Sequence, residues 1–318
     1  MFIRLKNGII LRKRNCEFKQ KIDTIAKIKN GDVFNLDEKS FAFLKNLNGL
    51  QTIEDIIKVY KNIYKATLKE KDLFKNRNLS QLIEYGMEPI NKNQIVEVDN
   101  LQAACRIAIW HFTNMCNLTC KHCYYNYSKQ DKKSFKKNEI DKIVDNLHDL
   151  GVESVVLSGG EPSLLPDDLE YVCTKLNEKC LFFTINTNAY KDINTIIKIF
   201  KNNSYAEKVQ ISLDGDEHIH EAIRGVSGSF KRTIFNVKKI IKAGIRVKVV
   251  SMITNGWRNK EREIFELINN LGINEWLIEI PTPTGNWQKN YQKYGLEENQ
   301  LLEIVKNFIK IRVLSRRF

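Results

Sequence analysis

The stretch Cys116–Tyr124, CNLTCKHCY, sets three cysteines at spacings of four and three and ends on an aromatic residue. The 318-residue chain has only 7 cysteines, so three within eight positions calls for a chemical reason. The segment just upstream, Arg106–Thr113 (RIAIWHFT), reads as a β-strand, and from there strand and helix signals alternate to the end. Further strands are expected at Val152–Ser158, Cys180–Thr187, Lys208–Asp214, Ile245–Ile253 and Asn274–Thr282. Between them, 138–151 sets Ile140, Ile143, Val144 and Leu147 on one helical face and stops at Gly151. Segments 229–244 and 261–272 repeat the pattern, each ending on glycine. Six strands alternating with helices imply a parallel sheet with right-handed crossovers. In such sheets chemistry sits at the C-terminal strand ends, where the cysteine run falls.

Composition narrows the setting. An apolar fraction of 42% supplies a core, and no run reaches the roughly 18 apolar residues that a membrane span needs. The first residues, MFIRLKNGIILRKRN, break their apolar pairs with charges and do not read as an export signal. The expected compartment is therefore the reducing cytoplasm, where cysteines serve as thiols, metal ligands or catalytic groups. The net charge of +13 is spread among asparagines and isoleucines. No compact basic cluster with interleaved aromatics forms, which argues against nucleic acid as a partner.

Three thiolates from one loop can hold three irons of a cubane and leave the fourth open. A structural zinc site is the alternative, but it needs a fourth ligand, and His122 lies too close in sequence to supply one easily.

Cys116, Cys120 and Cys123, in a CxxxCxxC run after a first strand, resemble the signature of radical S-adenosylmethionine (SAM) enzymes. Further landmarks follow in order. Ser158–Pro162 (SGGEP) resembles the family's GGEP motif, in which Gly159 and Gly160 let backbone approach the methionyl amine and Glu161 offers it a carboxylate. Taken alone, this stretch could be a turn before a helix. Thr187–Ala189 (TNA) stands where relatives commonly carry TNG. By resemblance Asn188, Ser212 and Asp214 contact the cofactor; as plain strand ends they would only cap or turn. His220–Phe230 resembles the HDxxRGxxGSF stretch of the SPASM peptide-maturase subgroup, where Arg224 would hold a carboxylate or form an ordinary ion pair, and His220 a structural hydrogen bond. The resemblance covers roughly residues 104–290. It implies a partial (β/α)6 TIM-like barrel over 105–318, one three-cysteine [4Fe-4S] cluster, SAM, and an electron donor such as flavodoxin or ferredoxin.

Residues 1–90 have another texture. Two short strands are expected to form a hairpin around the turn at Asn7-Gly8, with a third at 32–38, a helix over 40–49 stopped by Asn48-Gly49, and a helix opening at Thr52 with Asp55 three residues on. Leu79–Ile90 closes this unit, Pro89 marks its boundary, and 91–104 read as a linker. The unit is thus a small winged-helix-like α+β domain. Gly31–Tyr60 resembles the peptide-chaperone domain of pyrroloquinoline quinone biosynthesis, which implies a precursor leader peptide added as a strand to a sheet edge. Up to Asn100 there are 19 basic and 13 acidic residues, suited to an acidic leader. A winged helix that binds DNA or merely caps the barrel is the alternative.

Cys16, Cys105, Cys173 and Cys180 have no cluster spacing, and no cysteine follows Cys180, so the auxiliary-cluster region common in the subgroup is not expected in this chain, which is either a one-cluster enzyme or a truncated fragment. The expected function is modification of a ribosomally made precursor peptide. The rivals are a sulfatase-maturase-like enzyme, a small-molecule radical enzyme, and a non-catalytic peptide binder with an inert barrel.

Overall fold

A computed structural model describes residues 2–6, 8–16, 21–28, 33–47, 51–65, 79–86, 90, 94–98, 105–125 and 134–315. Its larger part is a six-stranded parallel sheet in the order β12-β11-β10-β9-β8-β7. The strands are β7 (Ile107–Thr113), β8 (Ser154–Gly159), β9 (Phe182–Thr187), β10 (Ala206–Ser212), β11 (Val247–Met252) and β12 (Glu275–Glu279). They fall in the six expected segments, and each pairs with its sequence neighbour, as right-handed crossovers require.

Helices α4 (Lys137–Asp149), α5 (Pro166–Glu178), α6 (Asn194–Asn202), α8 (Ser229–Lys242) and α9 (Glu261–Asn270) cover the sheet's outer face. Ile140 and Val144 of α4, Leu169, Val172 and Leu176 of α5, and Ile264 and Ile268 of α9 meet Val155, Leu157, Ile185, Val209 and Val249 in one buried core. A fully buried residue of this kind contributes about 1.5–3 kcal/mol. The strands read as nearly continuous apolar runs because both faces are covered over most of their length. Toward the C-terminal ends the polar residues Ser158, Asn186, Gln210 and Ser212 face the interior cavity.

The N-terminal part holds a four-stranded sheet in the order β4-β3-β2-β6 and a two-stranded sheet β1-β5. Its strands are β1 (Phe2–Leu5), β2 (Ile9–Cys16), β3 (Lys21–Ile28), β4 (Val33–Asn35), β5 (Ile83–Gly86) and β6 (Ile95–Val98). Among the described residues three helices accompany them, α1 (Glu38–Lys45), α2 (Ile53–Tyr64) and the short α3 (Leu79–Leu82). At the start of α2 the side chain of Thr52 accepts from the Asp55 N–H (3.2 Å), and the Asp55 carboxylate accepts from the Thr52 N–H (3.3 Å).

Two expectations are corrected. β1 and β2 do not form a hairpin. β1 pairs with β5, so that the fully buried Leu5 lies opposite Ile83, while β2 takes β3, a strand the sequence reading missed. Residues 95–98, read as linker, form β6 parallel to β2. Asn7, Asn48-Gly49 and Pro89 lie outside the described residues.

The N-terminal sheet docks on the N-terminal end of the barrel. Ile10, 2% exposed, packs with Cys180, Phe182 and Tyr205 at the entry to β9 and β10. Lys27 lies over the Phe182 ring at 4.8 Å and pairs with Glu207 at 3.7 Å. Replacing Ile10 by Ala removes a well-enclosed side chain from this seam. The expected loss is about 2–5 kcal/mol, read as a drop in the urea midpoint of unfolding.

Candidate active site

The cysteine loop leaves β7 at Thr113 and is held by backbone on three sides. The Thr113 carbonyl accepts from the Gly160 N–H (2.7 Å), and the Met115 carbonyl accepts from the Glu161 N–H (2.6 Å). From helix α7 (Glu217–Arg224), the Arg224 carbonyl accepts from Thr119 N–H (3.3 Å) and the Ile223 carbonyl from Lys121 N–H (2.8 Å). From helix α10 (Gly285–Tyr294), the Asn286 N–H donates to the Cys123 carbonyl (2.8 Å) and its side chain to the Cys120 carbonyl (3.1 Å).

This clamp explains the glycines. A Cβ on Gly160 would stand 1.9 Å from the Met115 carbonyl oxygen, and one on Gly159 would stand 2.4 Å from that of Thr113. The GGEP turn therefore needs glycine to press against the cysteine loop. Sequence reasoning had assigned the small size to cofactor approach alone.

Cys116, Cys120 and Cys123 open into one cavity of about 330 Å³ at the C-terminal strand ends. Gly159, Gly160, Asn188, Ser212 and Arg224 line the same space, so eight of the ten expected residues converge. Met252, Gln210, Asn186, Glu279 and His122 line it as well and were not anticipated as site residues. For the strand residues the signal lay in the period of two along each strand end.

Two of the ten, Glu161 and Asp214, do not line the cavity. Glu161 is fully buried, and its carboxylate accepts from Ser163 N–H (3.1 Å), the Thr187 hydroxyl (2.8 Å) and Asn188 N–H (2.7 Å). Burial pushes its carboxyl up, against those donors. Glu161 thus ties β8 to the end of β9. Asp214 is equally buried and lies beneath the cavity wall, paired to Arg224 (2.7 Å, Oδ2 to Nε) and accepting from Met252 N–H (3.0 Å). Burial pushes its carboxyl up, but Arg224, His122, His220 and the Met252 N–H together hold it below the ordinary value.

Asn188 reaches across to Asn117 of the cysteine loop (2.8 Å). The neighbouring Ala189 keeps a left-handed turn at φ 51°, so the glycine common in relatives is replaced at a steric cost of roughly 1–2 kcal/mol. His220 accepts from Asp214 N–H (3.3 Å) and is driven down to about 4 by burial, a neutral structural acceptor.

The donor set fits an iron–sulfur cluster better than a single ion. Among the described residues, no three His, Cys, Asp or Glu side chains converge on one ion position, as tetrahedral zinc would require. Three thiols sharing a cavity wall can each hold a separate iron. Burial pushes Cys116 up to about 12 and raises Cys120, so the thiolates need a bound cation to replace their protons. The six described cysteines outside position 16 are free of disulfides.

Two measurements check this account. Gly160→Ala should cost the loop its seat, with a fall of several degrees in Tm and loss of bound iron, because a Cβ there meets backbone. Gly244→Ala, where nothing lies within 4 Å, should cost only about 1 kcal/mol and keep the iron. His220 binds fewer protons folded than unfolded between pH 6.5 and 4, so its contribution to stability is present above that window and lost as pH falls. The loss is on the order of 3 kcal/mol by pH 4. Urea titrations of wild type and His220→Gln should therefore converge as pH drops from 6.5 to 4.

Comparison with known proteins agrees with this geometry. The AdoMet-dependent heme synthase of Nitratidesulfovibrio vulgaris is 27% identical over 185 residues, 57% of this chain and 49% of that protein. The antilisterial bacteriocin subtilosin biosynthesis protein AlbA of Bacillus subtilis is 23% identical over 312 residues, 91% of this chain and 68% of AlbA. Streptococcus suis SuiB bound to its precursor peptide SuiA superposes with a TM-score of 0.66 at 17% identity, covering 99% of this chain and 71% of SuiB, a likeness of fold. The chain spans about half the length of the heme synthases it matches. The sequence profile of the Radical SAM superfamily matches residues 110–271. The chain belongs to the radical SAM superfamily, whose cofactors are a [4Fe-4S] cluster and S-adenosyl-L-methionine.

Proposed function

We propose that this chain holds its cluster on Cys116, Cys120 and Cys123 and modifies a ribosomally made precursor peptide. The observation that carries the reading is the convergence of the three thiols on one cavity at the strand C-termini. When bound, the cluster and SAM supply a reductively generated 5′-deoxyadenosyl radical able to take a hydrogen atom from an unactivated carbon. The chain's own residues place and enclose. Gly159 and Gly160 present backbone at the cavity wall, Asn188 and Ser212 present polar groups to the cofactor, and His122 contributes a neutral ring held near 4 by burial. A reducing cytoplasm and a flavodoxin- or ferredoxin-type donor complete the reading.

Support for a peptide substrate comes from the extent of the likenesses. The matches that run over nine-tenths or more of this chain are to a bacteriocin biosynthesis protein and to a structure with a precursor peptide, whereas the heme synthases match little more than half. The N-terminal module, residues 1–90 together with β6, would take the leader. β4 is an outer strand of its sheet, with Val33 41% exposed, and is the edge we assign to an added strand. The side of β2 away from β3 is already covered by β6.

Anaerobically reconstituted protein with SAM and a strong reductant should release 5′-deoxyadenosine. The Cys116, Cys120 and Cys123 triple alanine variant should release none; equal release by that variant would overturn the ligand assignment. Removing residues 1–98 should spare this uncoupled release and abolish peptide modification, followed by mass spectrometry of a short acidic precursor. Full modification by the truncated chain would refute the leader-binding role.

A further inference from the structure

Beneath the cavity, one arginine is oriented by its carboxylate partner so that its remaining nitrogen meets a cysteine sulfur. Asp214 grips Arg224 from one side, with Oδ2 2.7 Å from Nε and Oδ1 accepting from Nη2 at 3.1 Å. Asp214 is itself fixed, since it accepts from Met252 N–H (3.0 Å), its N–H donates to His220, and its carbonyl accepts from the Trp257 indole (2.8 Å). The third guanidinium nitrogen, Nη1, lies 3.7 Å from the Cys120 sulfur, within reach of an N–H to sulfur hydrogen bond. The same helix end accepts from Thr119 and Lys121 N–H on either side of Cys120, so the separation of arginine and sulfur is set by backbone.

Resting on the ligand assignment above, we propose that Arg224, oriented by Asp214, sets the reduction potential of the cluster through the Cys120 sulfur. A guanidinium stays charged in a buried site, and here it is 6% exposed. Reduction adds negative charge to the cluster. A fixed positive charge and an N–H donor on one of its sulfurs stabilise the reduced form, and hydrogen bonds to sulfur and local charge are among the factors that set such potentials. Low surrounding polarity strengthens the effect. Arg224 is thus a positioning and tuning residue, distinct from a group that touches substrate.

The test is a redox titration followed by electron paramagnetic resonance on the full reconstituted chain without SAM, with iron counted per chain. Arg224→Met should move the midpoint to more negative potential by at least tenfold in the reduction equilibrium, about 59 mV for one electron. Arg224→Lys, which keeps the charge and loses the fork, should move it less. If Arg224→Met loses iron because Asp214 is left unpaired, the Asp214→Asn/Arg224→Met double variant removes both buried charges and should show a smaller negative shift, since the net charge is unchanged and the N–H donor to the sulfur is lost. A midpoint equal to wild type in an iron-loaded variant overturns the inference and leaves the ligand assignment intact. Loss of iron in both variants assigns the pair to folding and overturns it equally. A cluster signal that survives the triple cysteine variant overturns both readings together.

Discussion

Everything at the site depends on how closely other backbone approaches the cysteine loop. Gly160 stands against Met115, Gly225 against Thr119 and Gly285 against Tyr124, each with a virtual Cβ within 2.6 Å of an atom in the loop. Three elements distant in sequence, the end of β8, the end of α7 and the start of α10, press on one segment from three directions. A nine-residue loop cannot present three thiols in a fixed array on its own, because ordering each residue costs about 1–2 kcal/mol of backbone entropy. Here the carbonyls of Thr113, Met115, Cys120 and Cys123 and the amides of Thr119 and Lys121 are all engaged by outside partners. The parallel sheet matters because it delivers these contacts to a single edge.

Charge beneath the loop obeys a second constraint. Fully buried carboxylates are expensive unless they are paired or hydrogen-bonded. Glu161 and Asp214 meet this requirement in different ways, the first with two backbone amides and a hydroxyl, the second with an arginine and a backbone amide. Each thereby joins neighbouring strand ends, β8 to β9 and β10 to β11. A carboxylate in a family motif is easily read as a ligand for the cofactor's amine. In this chain its donors are already supplied from within, and the cavity is lined by other groups, among them Asn188, Ser212 and Arg224.

This division shows what was legible in the sequence. The six strands, the glycine-stopped helices and the three cysteines were readable because each is a local pattern, period two, period 3.6 or fixed spacing. Arg224 was readable as the holder of a carboxylate, yet its partner was not, since Asp214 lies ten residues away around a turn whose geometry no spacing encodes. Pairing in the N-terminal sheet was misread for a related reason. Asn7-Gly8 signals a turn, and the Ile9 N–H donates to the Lys6 carbonyl (3.2 Å). The partner of β1 is nevertheless chosen by the burial of Leu5 against Ile83, a contact across 78 positions. β6 was hidden because four residues next to a linker carry too short a pattern to count.

The placement of the N-terminal module gives the proposed function a geometric consequence. Ile10 and Lys27 seat it at the entry of β9 and β10, and the cysteines open at the strands' far ends. A parallel strand rises about 3.3 Å per residue, so the six residues of β9 separate the two ends by about 20 Å. A peptide held on the module must cover at least that span before any of its residues reaches the thiols, which takes about six extended residues. Six strands also leave the barrel open between β7 and β12, the two outer strands of the sheet. Ile107 and Ile109 on one side and Ile280 on the other are each at least 60% exposed along that opening. A closed eight-stranded barrel has an interior filled by side chains. An opening along the side, flanked by apolar residues and two unpaired strand edges, admits an extended chain lengthwise. On the proposed function, a leader anchored at the far end would hold the substrate in place without occupying the cavity.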